Sequence, residues 1–115
     1  SLNVMESPTN DTMTISLKFE DGSIGTIHYL SNGARAYPKE RLEIFTAGRV
    51  LKLDNYRKLT GLGWHGFNKM SLWRQDKGQR ACAQAFVDAV TSGSSPPIPT
   101  SEIFEVSRIS IEMVQ

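Results

Sequence analysis

Hydrophobic and polar positions alternate with a period of two from Thr12 onward. Met13, Ile15, Leu17 and Phe19 are interleaved with Thr12, Thr14, Ser16 and Lys18. This is the signature of a strand with one buried and one wetter face. Asp21-Gly22 then marks a hairpin. The return strand, Ser23 to Leu30, has apolar residues on both faces (Ile24, Ile27, Tyr29, Leu30), which predicts a central place in the sheet. After the break at Ser31-Asn32-Gly33-Ala34 and Pro38, a third strand is expected over Lys39–Thr46. Leu42 and Ile44 face one way in it, and Lys39, Arg41 and Glu43 the other. Ala47-Gly48 turns the chain into Arg49–Leu53, and shorter strands are expected near Tyr56–Leu62 and Phe67–Trp73.

The period changes at Asp76. Asp76 and Gln79 have the spacing of a capping box, and Ala81, Ala85, Phe86, Ala89 and Val90 lie on one helical face. Gly93 and Ser94-Ser95-Pro96-Pro97 stop that helix. A second is expected from about Thr100, with Ile103, Val106, Ser107, Ser110 and Met113 on one stripe. Ile109, Ile111 and Val114 widen the stripe, which predicts packing on more than one side. Strands first and helices afterwards imply an α+β fold: a mostly antiparallel open sheet, helices packed on one face, and two C-terminal helices. Residues 1–11, with Pro8, Asn10 and Asp11, read as a lead-in or tail to one domain over residues 12–115.

Composition narrows the function classes. With 13 basic and 12 acidic residues dispersed over 115, the net charge is +1. The basic excess expected of a nucleic-acid binder is missing, and no stretch reaches the roughly 18 apolar residues of a membrane span. The 39% hydrophobic content, with nine glycines added, approaches the globular norm of about 45–50%. The lone Cys82 fits a reducing, cytoplasmic setting. The start at Ser1-Leu2-Asn3 suggests a piece of a longer polypeptide.

Candidate chemistry is sparse. Gly61-Leu62-Gly63-Trp64-His65-Gly66 matches G-x-G-x-x-G, but a dinucleotide fingerprint sits between a parallel strand and a helix. The strand-like Phe67–Trp73 follows instead, so the segment reads as a glycine-rich turn. His28 and His65 lack partners at zinc-ligand spacing. Cys82, among alanines, reads as a packing residue. The alternating charges of Lys39, Glu40, Arg41 and Glu43 read as a solvated or cross-strand-paired face, with an anion-contacting edge as the alternative. Trp64 and Trp73 suit either a core or a partner-facing anchor. No catalytic, cofactor-binding or metal-ligating residue is assigned.

Four stretches together resemble the C-terminal domain of the glucose–fructose oxidoreductase and inositol dehydrogenase family (Gfo/Idh/MocA), with bi-domain oxidoreductases the nearest in character. They are the hairpin Ile15–Ile27, the strand Pro38–Phe45, the helix entry Asp76–Arg80 running through Ala85–Val90, and Gly93–Pro99 with the helix after it. The resemblance implies a parent NAD(P)-dependent dehydrogenase acting on a sugar, polyol or related hydroxyl compound. Its NAD or NADP would be held by a missing N-terminal Rossmann domain, and no cofactor by this chain. It implies a non-catalytic domain on the substrate side, forming a homo-oligomer through its open sheet. Asn32, Arg35 and Lys39 are then candidates for a substrate-side loop, and Trp64 and Tyr29 for an interface. A stand-alone protein-interaction module using its sheet face is the alternative, since no catalytic constellation is visible in the sequence.

Overall fold

The computed structural model describes residues 1–6, 8 and 11–113. Among the described residues the architecture is α+β: seven antiparallel strands followed by two C-terminal helices. The strands form two sheets, one ordered β1-β2-β3 and the other β4-β5-β6-β7. The break between them is the loop at residues 31–40, which carries no ladder. Backbone contacts group the chain into two compact units, Ser1–Tyr37 with Ile109–Gln115, and Pro38–Arg108.

In the first unit, β1 (Leu2–Glu6), β2 (Thr12–Lys18) and β3 (Ile24–Leu30) form a meander. Leu2–Glu6, within the segment expected as a lead-in, pairs along β2 from Leu2↔Leu17 to Glu6↔Met13. Its Leu2-Asn3-Val4 alternation is short, and the polar run after it conceals the strand signal. This pairing corrects the expected place of β3: β2 is central and β3 is an edge. Apolar residues on both faces of β3 reflect exposure, not burial, with Ile24 83% and Leu30 61% accessible. Opposite residues point to the same side of an antiparallel pair, so Val4, Ile15 and Ile27 share a face. Ile15, at its centre, is 4% exposed. The Asp21-Gly22 turn forms as expected. Gly22 takes φ 87°, and the Asp21 carboxylate accepts a hydrogen bond from the Ser23 amide at 2.9 Å.

In the second unit, β4 (Arg41–Thr46) and β5 (Arg49–Asp54) close through Ala47-Gly48. Both turn residues have positive φ, 45° and 72°, the conformation that matches strand twist in a two-residue hairpin. β6 (Lys58–Leu62) and β7 (Lys69–Ser71) continue the sheet. The β5–β6 turn places two non-glycine residues, Asn55 and Tyr56, at φ 51° and 49°, a conformation that costs on the order of 1 kcal/mol per residue. A hydrogen-bond network holds it. The Asn55 amide donates to the Glu40 carbonyl at 2.7 Å, the Asp76 amide to Tyr56 at 3.1 Å, and the Gln75 side chain to Asn55 O and Oδ1 at 3.0 and 2.9 Å. Lys77 pairs with Glu40 and lies 5.8 Å from the Tyr56 ring centre.

Helix α1 spans Gln79–Ser92 and α2 spans Thr100–Glu112. The expected capping box does not form. Gly78, at φ 77°, is the N-cap, and the Asp76 carboxylate accepts from the Gly78 amide at 2.8 Å. Aspartate bonds readily to the backbone two residues on, and Gly78 enters the left-handed region without steric cost, so Gln79 becomes the first helical residue. The C-terminus follows expectation. Gly93 is left-handed at φ 67°, and the Ser94 and Gly93 amides donate to Ala89 and Val90, a Schellman closure. Ala89 is the buried residue of α1, and Phe86 and Val90 of its expected stripe are 58% and 67% exposed. On α2, Ile109 is half-buried, as is Met113 just beyond its end, whereas Ile103 and Val106 are exposed. Val114 lies outside the described residues.

Candidate functional site

Strand register sorts the second sheet into two chemically distinct faces. The pairs Leu42↔Leu53, Ile44↔Leu51, Leu51↔Gly61, Leu53↔Leu59 and Leu59↔Met70 place Leu42, Ile44, Leu51, Leu53, Leu59 and Met70 on one side. None of the six carries a charge, and Arg49, opposite Thr46, adds one at the hairpin end of the same side. Leu42, Ile44 and Met70 are 51%, 45% and 50% exposed, and the three residues between them are half-buried.

The opposite face carries the sheet's ion pairs, together with Phe45, Val50 and Leu62, of which Phe45 and Leu62 are 72% and 60% exposed. Arg41 lies 4.0 Å from Asp54 and Lys52 lies 3.5 Å from Glu43, both as directly opposed cross-strand pairs. This is the cross-strand pairing expected from the alternating charges around Arg41 and Glu43. All four side chains are at least a third exposed, and such pairs contribute about 0–1 kcal/mol each. They therefore do little for stability. The aliphatic side, by contrast, is an apolar surface of the kind that soluble proteins cover. Within this unit, α1 makes no close backbone contact with the sheet among the described residues.

The glycine-rich segment joins antiparallel β6 to β7, and strand β7, not a helix, comes next. Gly61 is packed so closely that a Cβ there would stand 2.7 Å from the Phe67 ring, and one at Gly63 would stand 3.0 Å from the Gly48 carbonyl. With no helix N-terminus to receive a pyrophosphate and with Gly61 and Gly63 closed against side chain and backbone, although Gly66 is open, the segment does not fit a nicotinamide dinucleotide. Its role is local. The Trp64 indole donates to the Val50 carbonyl at 3.1 Å, and the Arg49 guanidinium lies 5.1 Å from the ring centre. Trp64, an interface candidate, is thus half-buried against its own sheet, whereas Trp73 is 90% exposed. Tyr29, the other interface candidate, lies on the Ile15 face of the first sheet and is 57% exposed.

Asn32 and Arg35 occupy exposed turns of the first unit, and Lys39 is exposed in the second. Lys39 follows Pro38, which lines an open recess with Asp54, Asn55, Arg57, Lys58, Ser71 and Leu72. His28 Nδ1 and Thr14 Oγ1 are 3.0 Å apart in a cross-strand hydrogen bond, and Cys82 is exposed on α1. Groups of three or more His, Cys, Asp or Glu suited to a metal are absent among the described residues. No described helix is long and apolar enough to cross a membrane.

Leu42 and Ile44 were legible as one side of a strand from sequence. Their partners Leu51, Leu53, Leu59 and Met70 were not, because their common face depends on register. Comparison with family models, curated proteins and solved structures finds no match to this chain.

Proposed function

We propose that this chain is a non-catalytic assembly domain whose four-stranded sheet is covered, on its aliphatic side, by another protein surface. The observation that carries the reading is the contrast between the two sides of that sheet. One holds Leu42, Ile44, Leu51, Leu53, Leu59 and Met70, with Arg49 at its hairpin end; the other holds two cross-strand ion pairs. Covering half-exposed aliphatic groups is favourable by roughly 25 cal/mol per Å² removed from water.

The parent protein, on the sequence resemblance, is a cytoplasmic NAD(P)-dependent dehydrogenase of a sugar, polyol or related hydroxyl compound. This chain is its C-terminal, substrate-side part, and its partners are the upstream Rossmann domain and a second subunit. NAD or NADP belongs to that upstream domain, and no residue of this chain is assigned a catalytic role. The sheet face would serve a stand-alone interaction module equally well. That reading is favoured if the exposed Trp73 proves to be a binding anchor.

Sedimentation of the chain over a concentration series tests the proposal. Reversible self-association is expected, and Ile44→Glu weakens it by placing a charge on the aliphatic face. A strictly monomeric chain, or saturable NAD(P)H binding by the chain alone, would overturn it.

A further inference from the structure

Strand edges in the two sheets differ sharply in how they are protected. An edge strand exposes unpaired backbone N–H and C=O groups, and proteins blunt such edges with charge, proline, shortness or a covering element. The β4 edge carries Arg41 and Glu43, β7 is three residues long and carries Lys69, and β1 ends in Glu6. β3 has none of these devices. Its seven residues, Ile24-Gly25-Thr26-Ile27-His28-Tyr29-Leu30, contain no proline and no formal charge at neutral pH. The strand ladders with β2 on one side and with nothing on the other among the described residues. Ile24, Ile27, Tyr29 and Leu30 are 46–83% exposed.

We propose that β3 pairs antiparallel with β3 of a second copy about a twofold axis at Ile27, joining two three-stranded sheets into one of six. This rests on the assembly reading above and assigns it a second, separate contact. Ile27 is the middle of the strand, so this register alone pairs all seven residues: Ile24 with Leu30, Gly25 with Tyr29, Thr26 with His28, and Ile27 with itself. A twofold axis through a residue keeps like faces together. The Ile15–Ile27 side of one copy therefore continues into the same side of the other, and the Thr14–His28 side, which also carries Ile24 and Leu30, does likewise. The large Tyr29 side chain meets Gly25, which has no side chain of its own. With no charge on the edge, no ion is brought against its own kind at the axis. Pairing two such strands buries less than the roughly 1,200–2,000 Å² of a stable interface, so a weak, concentration-dependent dimer is expected.

Position-specific cross-linking of the full chain, in a Cys82→Ser background, tests the register. Opposed residues in an antiparallel pair have Cα atoms about 4.5–5.5 Å apart, within disulfide reach. Under mild oxidation Ile27→Cys should cross-link to itself. Thr26→Cys alone should not, because its own copy lies two positions away along the strand. A mixture of Thr26→Cys and His28→Cys chains should yield the mixed dimer. This second pair lies on the exposed Thr14–His28 side and serves as the test if Ile27→Cys does not fold. A chain that self-associates in sedimentation but cross-links no better at these positions than at Thr26→Cys alone would overturn the edge pairing and leave the sheet-face reading standing. A monomer in sedimentation would overturn both.

Discussion

Trp64 donates its indole hydrogen bond to the backbone carbonyl of Val50, 3.1 Å away and fourteen residues earlier in the chain. This bond ties the glycine-rich β6–β7 connection to the start of β5, beside the hairpin turn at Ala47-Gly48. Trp64→Phe keeps the ring but removes the donor, and is expected to lower stability by about 0.5–1.5 kcal/mol. Trp64→Ala removes the ring and the Arg49 contact as well and should cost more. Urea unfolding of the two variants checks the order.

Gly61→Ala is expected to destabilise by about 1–3 kcal/mol. Its Cβ would stand 2.7 Å from Phe67 Cδ1 and 3.1 Å from the Phe67 carbonyl, so both ring and backbone must shift. Pairing it with Phe67→Ala should recover the ring part of the loss but not the backbone part. A double-mutant cycle on thermal unfolding separates them.

Ile15→Ala removes the buried aliphatic residue at the centre of the first sheet and should cost about 2–4 kcal/mol. Ile27→Ala, on the exposed edge strand beside it, should cost clearly less in the monomer. Equilibrium denaturation at low protein concentration makes the comparison without contribution from self-association.

Asp21 supplies a pH-dependent element in the β2–β3 turn. The Ser23 backbone amide, and then the Ser23 side chain, hold the Asp21 carboxyl below its ordinary value of 3.8. A folded-state value below the unfolded one means the contribution is fully present above pH 3.8. It is then lost as pH falls through the lower folded value. NMR titration of the Asp21 carboxyl should show the depressed midpoint. In Asp21→Asn the Ser23 amide resonance should lose its acid-range titration.

Local chemistry explains what sequence by itself determined. Strand and helix type, the Asp21-Gly22 and Ala47-Gly48 turns, the Gly93 stop and the α+β order all follow from side-chain periodicity and from backbone conformations that few residues adopt. These are properties of neighbours in the chain, so neighbours are enough to read them. The cross-strand ion pairs at Arg41 and Glu43 were half legible, since charge alternation is visible but the partners Asp54 and Lys52 are not.

The tertiary structure decided what depends on register and on distant segments. Pairing of Leu2–Glu6 with β2 moved β3 from a central place to an edge, although the apolar pattern of β3 is the same in either place. Register through three ladders brought Leu42, Leu53, Leu59 and Met70 to one aliphatic face, although 28 positions separate the first from the last. Close packing by Phe67 and Gly48 gave Gly61 and Gly63 a steric role that the spacing of their glycines does not distinguish from a phosphate cradle. In each case the sequence specifies a preference for burial or for a turn, and only the folded backbone determines what lies across from it.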